Sequence, residues 1–433
     1  MLVETVDEGQ PRISGRDRPS YIAENQAHTL ATTAIPHYDS ASVGDTIADR
    51  MAAWSIAALH DPKNTIFLRT QPADQAFSLA LPAIPRGAKS MTAFVFSEPN
   101  FDNHEQVVFV SEPKSGLKAI LAVHNTNLGP AMGGCRMWNY ASEADAVTDV
   151  LRLSRGMTYK NAVAGLPIGG GKSVIIANPK TDKTPALFEA LGEALERLGG
   201  RYVTAEDVGT NTDDMAHVAR KTRHVAGLGE TGDPSPFTAL GCFVGAQAAV
   251  KYHLKRDSME GLVVALQGLG NVGFDYARRL RQAGARLIVT DIDQAALERA
   301  RTELGAEVVP VDSIYDVEAD IYAPCALGAT LNPNTLGRLK VKIVAGGANN
   351  QLATADIGEF LRQKGILYVP DFVINAGGII KVCYEHLKKP ENEVEAHVRR
   401  IGDTLTEIFE RAAREGVATS VEADRVAELR FKR

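Results

Sequence analysis

From Gln106 onward the chain alternates short apolar runs with longer segments that carry one apolar face. Gln106–Val110 and Lys118–His124 read as strands joined by a turn through Pro113–Gly116. Leu128–Arg136 is a glycine-rich turn into another strand. Ala146, Val147, Val150, Leu151, Leu153 and Met157 recur at helical spacing, which predicts an amphipathic helix ending near Lys160. Gly169–Gly171 then reads as a glycine loop, with Ser173–Ala177 as the buried strand after it. Leu187–Leu198 predicts a helix stopped by Gly199 and Gly200. Tyr202–Ala205 is a short strand with Glu206 and Asp207 at its end. Asp213–Ala219 and Ala239–Tyr252 are helical, and the Gly/Pro-rich stretch Gly227–Pro236 between them predicts a domain boundary. Further strands are expected at Leu262–Gln267, Arg286–Asp291, Val308–Val309, Ile321–Ala326, Ile343–Asn350 and Leu367–Asp371. A long helix follows from Asn375 through Leu387, and a single amphipathic helix over Glu393–Arg414.

Residues 1–90 lack this regularity. They hold seven of the twenty prolines, and only Thr46–Leu59 has the pattern of an amphipathic helix; the rest is expected to be a poorly ordered extension. Met91, just before the first well-patterned segment, is the expected natural start. The first residues have neither a basic start nor an apolar core, so no secretory signal is expected.

Composition narrows the class. The chain has 433 residues, a formal net charge of −6, a pI near 6.0, 45% hydrophobic and 23% charged residues. That is enough for two or three domains, and the acidic balance argues against nucleic acid as a partner. No apolar run is long enough to span a bilayer, so no membrane partner and a cytoplasmic location are expected. Cys135, Cys242, Cys325 and Cys383 are far apart, form no CxxC pair, and point to reduced thiols without a metal site.

Two features carry chemistry. Lys160 and Lys172 lie twelve residues apart around the glycine run, and a lysine held close to a ligand there can serve as an acid/base. A solvated surface lysine is the bland alternative. Gly171-Lys172-Ser173 looks like the end of a phosphate loop, but the spacing fails because Leu166 stands where that motif needs glycine. The second feature is a strand running into Gly268-Leu269-Gly270-Asn271-Val272-Gly273, a helix, a second strand, and Asp291 eighteen residues beyond Gly273. The glycines permit a tight turn and close approach of a pyrophosphate to the helix N-terminus, and Asp291 suits the adenosine ribose hydroxyls, favouring NAD.

In these motifs the chain, from about Met91 to its end, resembles the Leu/Phe/Val amino-acid dehydrogenases, relatives of glutamate dehydrogenase, with the leucine branch the nearest likeness. The resemblance rests on Leu128–Gly134, Met157–Lys160, Gly169–Lys172, Thr204–Thr210, Gly268–Gly273, Ala348–Leu352 and Asp371–Gly378. It implies an α/β fold of two domains with a cleft between them: a substrate and oligomerisation domain over 91–230 and a Rossmann NAD-binding domain over 231–380, with C-terminal helices over 381–433 packing back toward the first. It further implies NAD-dependent, reversible oxidative deamination of an L-amino acid to a 2-oxo acid and ammonia, in a homo-oligomer. By the same resemblance Lys172 is the acid/base and Asp207 shuttles protons with the substrate amine. Lys160 pairs with the substrate carboxylate, Gly133 and Asn349 approach the substrate, and Thr238 bonds the nicotinamide carboxamide. Met132, Ala205, Ile379 and Val382 line an apolar side-chain pocket, suited to leucine, valine or isoleucine. Methionine at 132, where leucine is usual, keeps phenylalanine or tryptophan as the alternative substrates. A non-catalytic NAD-binding sensor is the reading from another class; it has no need of the two lysines and Asp207.

Overall fold

A computed structural model describes residues 95–228, 232–326 and 328–432. The expected Thr46–Leu59 helix and the Met91 start lie outside them. The first part contains β1 (Gln106–Glu112), β2 (Leu117–Asn125), β3 (Ala131–Trp138), α1 (Glu143–Val163), β4 (Gly169–Ile176), α2 (Pro185–Glu196), β5 (Tyr202–Glu206) and α3 (Thr212–Ala219). The strands form one sheet in the order β1-β2-β4-β3-β5; β1, β2 and β4 pair antiparallel, and β3 pairs parallel with both β4 and β5. β2 shows the two-residue period of a strand covered on both sides. Leu117, Ala119, Leu121 and Val123 belong to the core that contains Leu187 and Phe188 of α2. Ile120 and Ala122 belong to the core with Val150 and Leu151 of α1. Ser142 caps α1 by accepting from Asp145 N, with Glu143 and Asp145 in the first turn and Lys160 in the last, as the helix dipole favours.

The glycine run is not a loop. Gly169–Gly171 are the first residues of β4, in the middle of the sheet, and none has positive φ. Their smallness is needed for close packing. A Cβ would stand 2.0 Å from Asn125 O at Gly169, 2.0 Å from Thr158 N at Gly170 and 2.7 Å from the Tyr202 ring at Gly171.

The second part runs α4 (Ser235–Ala249), β6 (Val263–Gln267), α5 (Asn271–Gln282), β7 (Arg286–Thr290), α6 (Gln294–Leu304), β8 (Glu307–Val308), β9 (Ile321–Pro324), α7 (Pro333–Leu336), β10 (Ile343–Val344), α8 (Asp356–Gln363), β11 (Leu367–Tyr368), α9 (Asp371–Ile374), α10 (Gly377–His386), α11 (Glu391–Arg399), α12 (Ile401–Glu415) and α13 (Thr419–Phe431). Its sheet is parallel throughout, in the order β11-β10-β9-β6-β7-β8. The order reverses between β6 and β9, the crevice where a doubly wound sheet takes a dinucleotide. The helix expected over Glu393–Arg414 is broken at Arg400. α11 packs on α10 and α4, and α12 on α4 and α13. A continuous buried core joins Tyr159 and Leu166 of the first part to α4, β6 and α10–α13. Among the described residues no helix is long and apolar enough to cross a membrane.

Candidate functional site

The last turn of α1, the start of β4 and the turn after β5 converge on a cleft of about 390 Å³. Lys172 Nζ lies 2.7 Å from Asp207 Oδ2, and Arg136 Nε of β3 donates to the same oxygen at 3.3 Å. Burial pushes the Asp207 carboxyl up, but the Lys172 and Arg136 charges outweigh it and hold the group at about 2. Lys160 Nζ donates to Asn349 Oδ1 at 3.1 Å, and Asn375 Nδ2 donates to that oxygen at 2.7 Å. Burial brings Lys160 down to about 8, against the opposing pull of Asp371. The wall is completed by Gly133, Ala205, Ile379 and Val382, the last two one helical turn apart on α10. A polar floor of two lysines and a carboxylate thus meets an apolar wall.

Of the residues expected at the substrate end, Met132 alone stands apart. It is fully buried, belongs to the main core and does not line the cleft. Met132 lies on β3 one residue before Gly133, the first of the strand to line the cleft, and sits in the core that also holds Ala162, Val163 and Val203.

At the other end, β6 runs into a turn built of glycine for two reasons. Gly268 has φ +98°, and a Cβ there would meet Ala326 N at 2.7 Å; a Cβ at Gly273 would meet Gly268 O at 2.0 Å. Gly270 is the N-cap of α5 and offers no side chain, so the first N–H groups of that helix stay available. Leu269, Gly270 and Asn271 line a groove of about 570 Å³ together with Ser235, Pro236 and Asp293, while Val272 turns toward Gly347. Asp291, just past β7, is tied to this groove by accepting from Leu269 N and from Asp293 N. The arrangement fits a dinucleotide: a bare helix N-terminus for the pyrophosphate and a strand-end carboxylate for the ribose. Thr238 lies in the first turn of α4, with its Oγ1 against Gly378.

Three charged residues were given no role from sequence. Arg136 is a charge inside the otherwise apolar strand Ala131–Met137, and that is a readable signal. Asp149, its partner at 2.9 Å, is one more acid on α1, and nothing in its spacing singles it out. Asp371 opens α9, three residues past the end of β11, and lines the cleft facing Lys160; an acid just beyond a strand was the available clue.

Comparison with known proteins gives the family. The family description Glu/Leu/Phe/Val dehydrogenase, dimerisation domain, matches residues 104–224, and Glutamate/Leucine/Phenylalanine/Valine dehydrogenase matches 289–430. Leucine dehydrogenase of Thermoactinomyces intermedius is 52% identical over 76% of this chain and 91% of its own length. Phenylalanine dehydrogenase of Bacillus thermotolerans is 46% identical over 76% of this chain and 88% of its own. The solved structure of L-tryptophan dehydrogenase from Nostoc punctiforme superposes with a TM-score of 0.69 at 44% identity, covering 76% of this chain and 96% of that one. The chain belongs to the Glu/Leu/Phe/Val dehydrogenase family and is an NAD-dependent amino-acid dehydrogenase.

Proposed function

We propose that the protein oxidatively deaminates a branched-chain L-amino acid, leucine, valine or isoleucine, to its 2-oxo acid and ammonia, reversibly, with Lys172 as acid/base. The observation that carries this is the 2.7 Å Lys172–Asp207 pair set beside Lys160 in one cleft with an apolar wall. Among the described residues Lys160 has no carboxylate within ion-pair distance, so the substrate carboxylate supplies one. The substrate amine then lies near Asp207, which takes up its proton. NAD, when bound along the groove beside α5, supplies the two-electron acceptor for the hydrogen on Cα. Lys172 receives one proton of the water that adds to the resulting imine carbon; Asp207 then returns its proton to the nitrogen, the C–N bond breaks as ammonia leaves, and the adduct's hydroxyl becomes the ketone as its proton passes to solvent. Gly133 and Asn349 position the reacting end, and Thr238 holds the carboxamide.

Ala205, Ile379 and Val382 offer only apolar surface, which disfavours a charged side chain by desolvation. The kinship to phenylalanine and L-tryptophan dehydrogenases supports an aromatic substrate as the second reading. We further infer a substrate domain over 91–230, a nucleotide domain over 231–380 and C-terminal helices over 381–433, in a cytoplasmic homo-oligomer; the matched description names a dimerisation domain.

A screen of the standard L-amino acids, following absorbance of reduced nicotinamide, tests the substrate. Highest kcat/KM with leucine, valine or isoleucine is expected; phenylalanine or tryptophan about tenfold above leucine would overturn the branched-chain reading, a difference of about 1.4 kcal/mol in transition-state binding. Lys172→Ala should lower kcat about a thousandfold or more with NAD binding retained, and near-normal turnover would remove Lys172 from the chemistry.

A further inference from the structure

Asp207 Oδ2 is shared by two cations, Lys172 Nζ at 2.7 Å and Arg136 Nε at 3.3 Å. Arg136 is itself held from behind. Its Nη1 donates to Asp149 Oδ2 at 2.9 Å, the Tyr140 hydroxyl donates to the same oxygen at 2.8 Å, and Arg152 Nη2 donates to Asp149 Oδ1 at 2.9 Å. Charge alternates outward from the cleft: Lys172, Asp207, Arg136, Asp149, Arg152. Arg136 and Asp149 are both largely shielded from water, so these charges act at short range with little screening.

Any proton that leaves Lys172 or reaches Asp207 changes the charge of a shielded pair. A carboxylate stripped of its partner in such a place is costly. A guanidinium does not deprotonate, so it stays beside the carboxylate whichever way the proton moves. We propose that Arg136 is a positioning residue for the dehydrogenase reaction: a fixed cation, braced by Asp149, that orients Asp207 and sets the pH range over which the Lys172–Asp207 pair exchanges protons. This rests on the assignment of Lys172 and Asp207 to proton transfer. The other charged or titratable groups around the pair are Lys160 of α1, Asp371 of α9, Tyr140, Cys135 of β3, and Tyr202 and Glu206 of β5; all are kept in the variants below, and Asp149→Asn leaves the Tyr140 hydroxyl an amide oxygen in place of the carboxylate.

The sign follows from charge. Removing a fixed cation makes the pair hold its proton more tightly, so the acid limb of log kcat/KM moves to higher pH. Removing the carboxylate behind that cation does the reverse. Arg136→Met should shift the limb upward by about one pH unit, Arg136→Lys by less, and Asp149→Asn should shift it downward. Thermal midpoints and NAD affinity of each variant are measured alongside. Damage to packing lowers activity without opposite shifts in the two limbs, and if Arg136→Met does not fold, the downward shift in Asp149→Asn still decides. Limbs that stay in place, or that move together, overturn the proposal. Lys172→Ala is run in parallel. An inert Lys172→Ala enzyme with unmoved Arg136 and Asp149 profiles sinks only this inference, whereas an active one sinks the assignment beneath it.

Discussion

Lys160 faces the cleft as a cation whose only polar partner at its Nζ, among the described residues, is an amide oxygen, that of Asn349 at 3.1 Å. Burial lowers its proton affinity to about 8, with Asp371 pulling the other way. A depressed lysine is charged below that value and neutral above it, so a ligand carboxylate meets a full charge only on the acid side. Binding of a 2-oxo acid to the enzyme–NADH complex, which involves no titrating amine on the ligand, should therefore weaken above about pH 8. Lys160→Arg should flatten that limb, and Lys160→Gln should weaken binding by about 10- to 100-fold below about pH 8, the worth of a charge-assisted hydrogen bond, with the difference closing as the unmodified lysine loses its proton. Fluorescence quenching of bound NADH gives the dissociation constants. A flat profile in the unmodified enzyme would place the ligand carboxylate elsewhere. Met132 gives the opposite lesson at this scale. Family likeness put it in the pocket, but it is buried in the main core, outside the cleft lining.

The glycine strand shows what a sequence pattern withholds. Gly169–Gly171 read as a loop because glycine usually marks one. The reason for glycine here lies in residues far off in the chain, Asn125, Thr158 and Tyr202, whose atoms leave no room for a Cβ. Gly170→Ala should cost about 3 kcal/mol or more, because the clash is with backbone that cannot swing aside. Gly156, inside α1 with open space where a methyl would stand, should instead gain about 0.5–1 kcal/mol on replacement by alanine. Urea midpoints of the two variants check this; shifts of the same sign would undo the packing argument. The strands at 106–112 and 117–125, the β6–α5 turn and its Asp291 were legible because their signals are local: alternation, spacing, an acid at a strand end. The Arg136–Asp149 pair was not, since it exists only once α1 lies across β3. The break at Arg400 was hidden likewise, because both halves keep the same amphipathic period.

At the scale of the whole molecule, the last helix returns to the first. The Phe431 ring packs against His124 and Tyr159, the Tyr159 hydroxyl donates to Glu428 at 2.8 Å, and Asn127 Nδ2 donates to Phe431 O at 2.9 Å. Beneath this contact His124 and His104 meet edge to face at 4.7 Å between centroids. His124 Nδ1 bonds the Thr158 hydroxyl at 2.8 Å, the residue that Gly170 packs against. Burial first, then the neighbouring His104, drives His124 down to about 4, although Asp102 draws it the other way. An unfolded histidine takes its proton near 6.5. Between about 6.5 and 4 the unfolded chain therefore binds more protons at this residue, and stability falls as pH falls. The full shift is worth about 3 kcal/mol. Asp424, raised by burial to about 6, has the opposite sign, because the folded chain keeps its proton when the unfolded one has lost it. The two partly cancel in the unmodified protein, so the histidine is isolated by difference. Urea unfolding of the protein and of His124→Asn at pH 6.5 and at pH 4.5 should show the unmodified chain losing about 1–3 kcal/mol more on acidification than the variant. Equal losses would mean that the junction between the first helix and the last carries its histidine without cost, and that the acid sensitivity of the fold originates elsewhere.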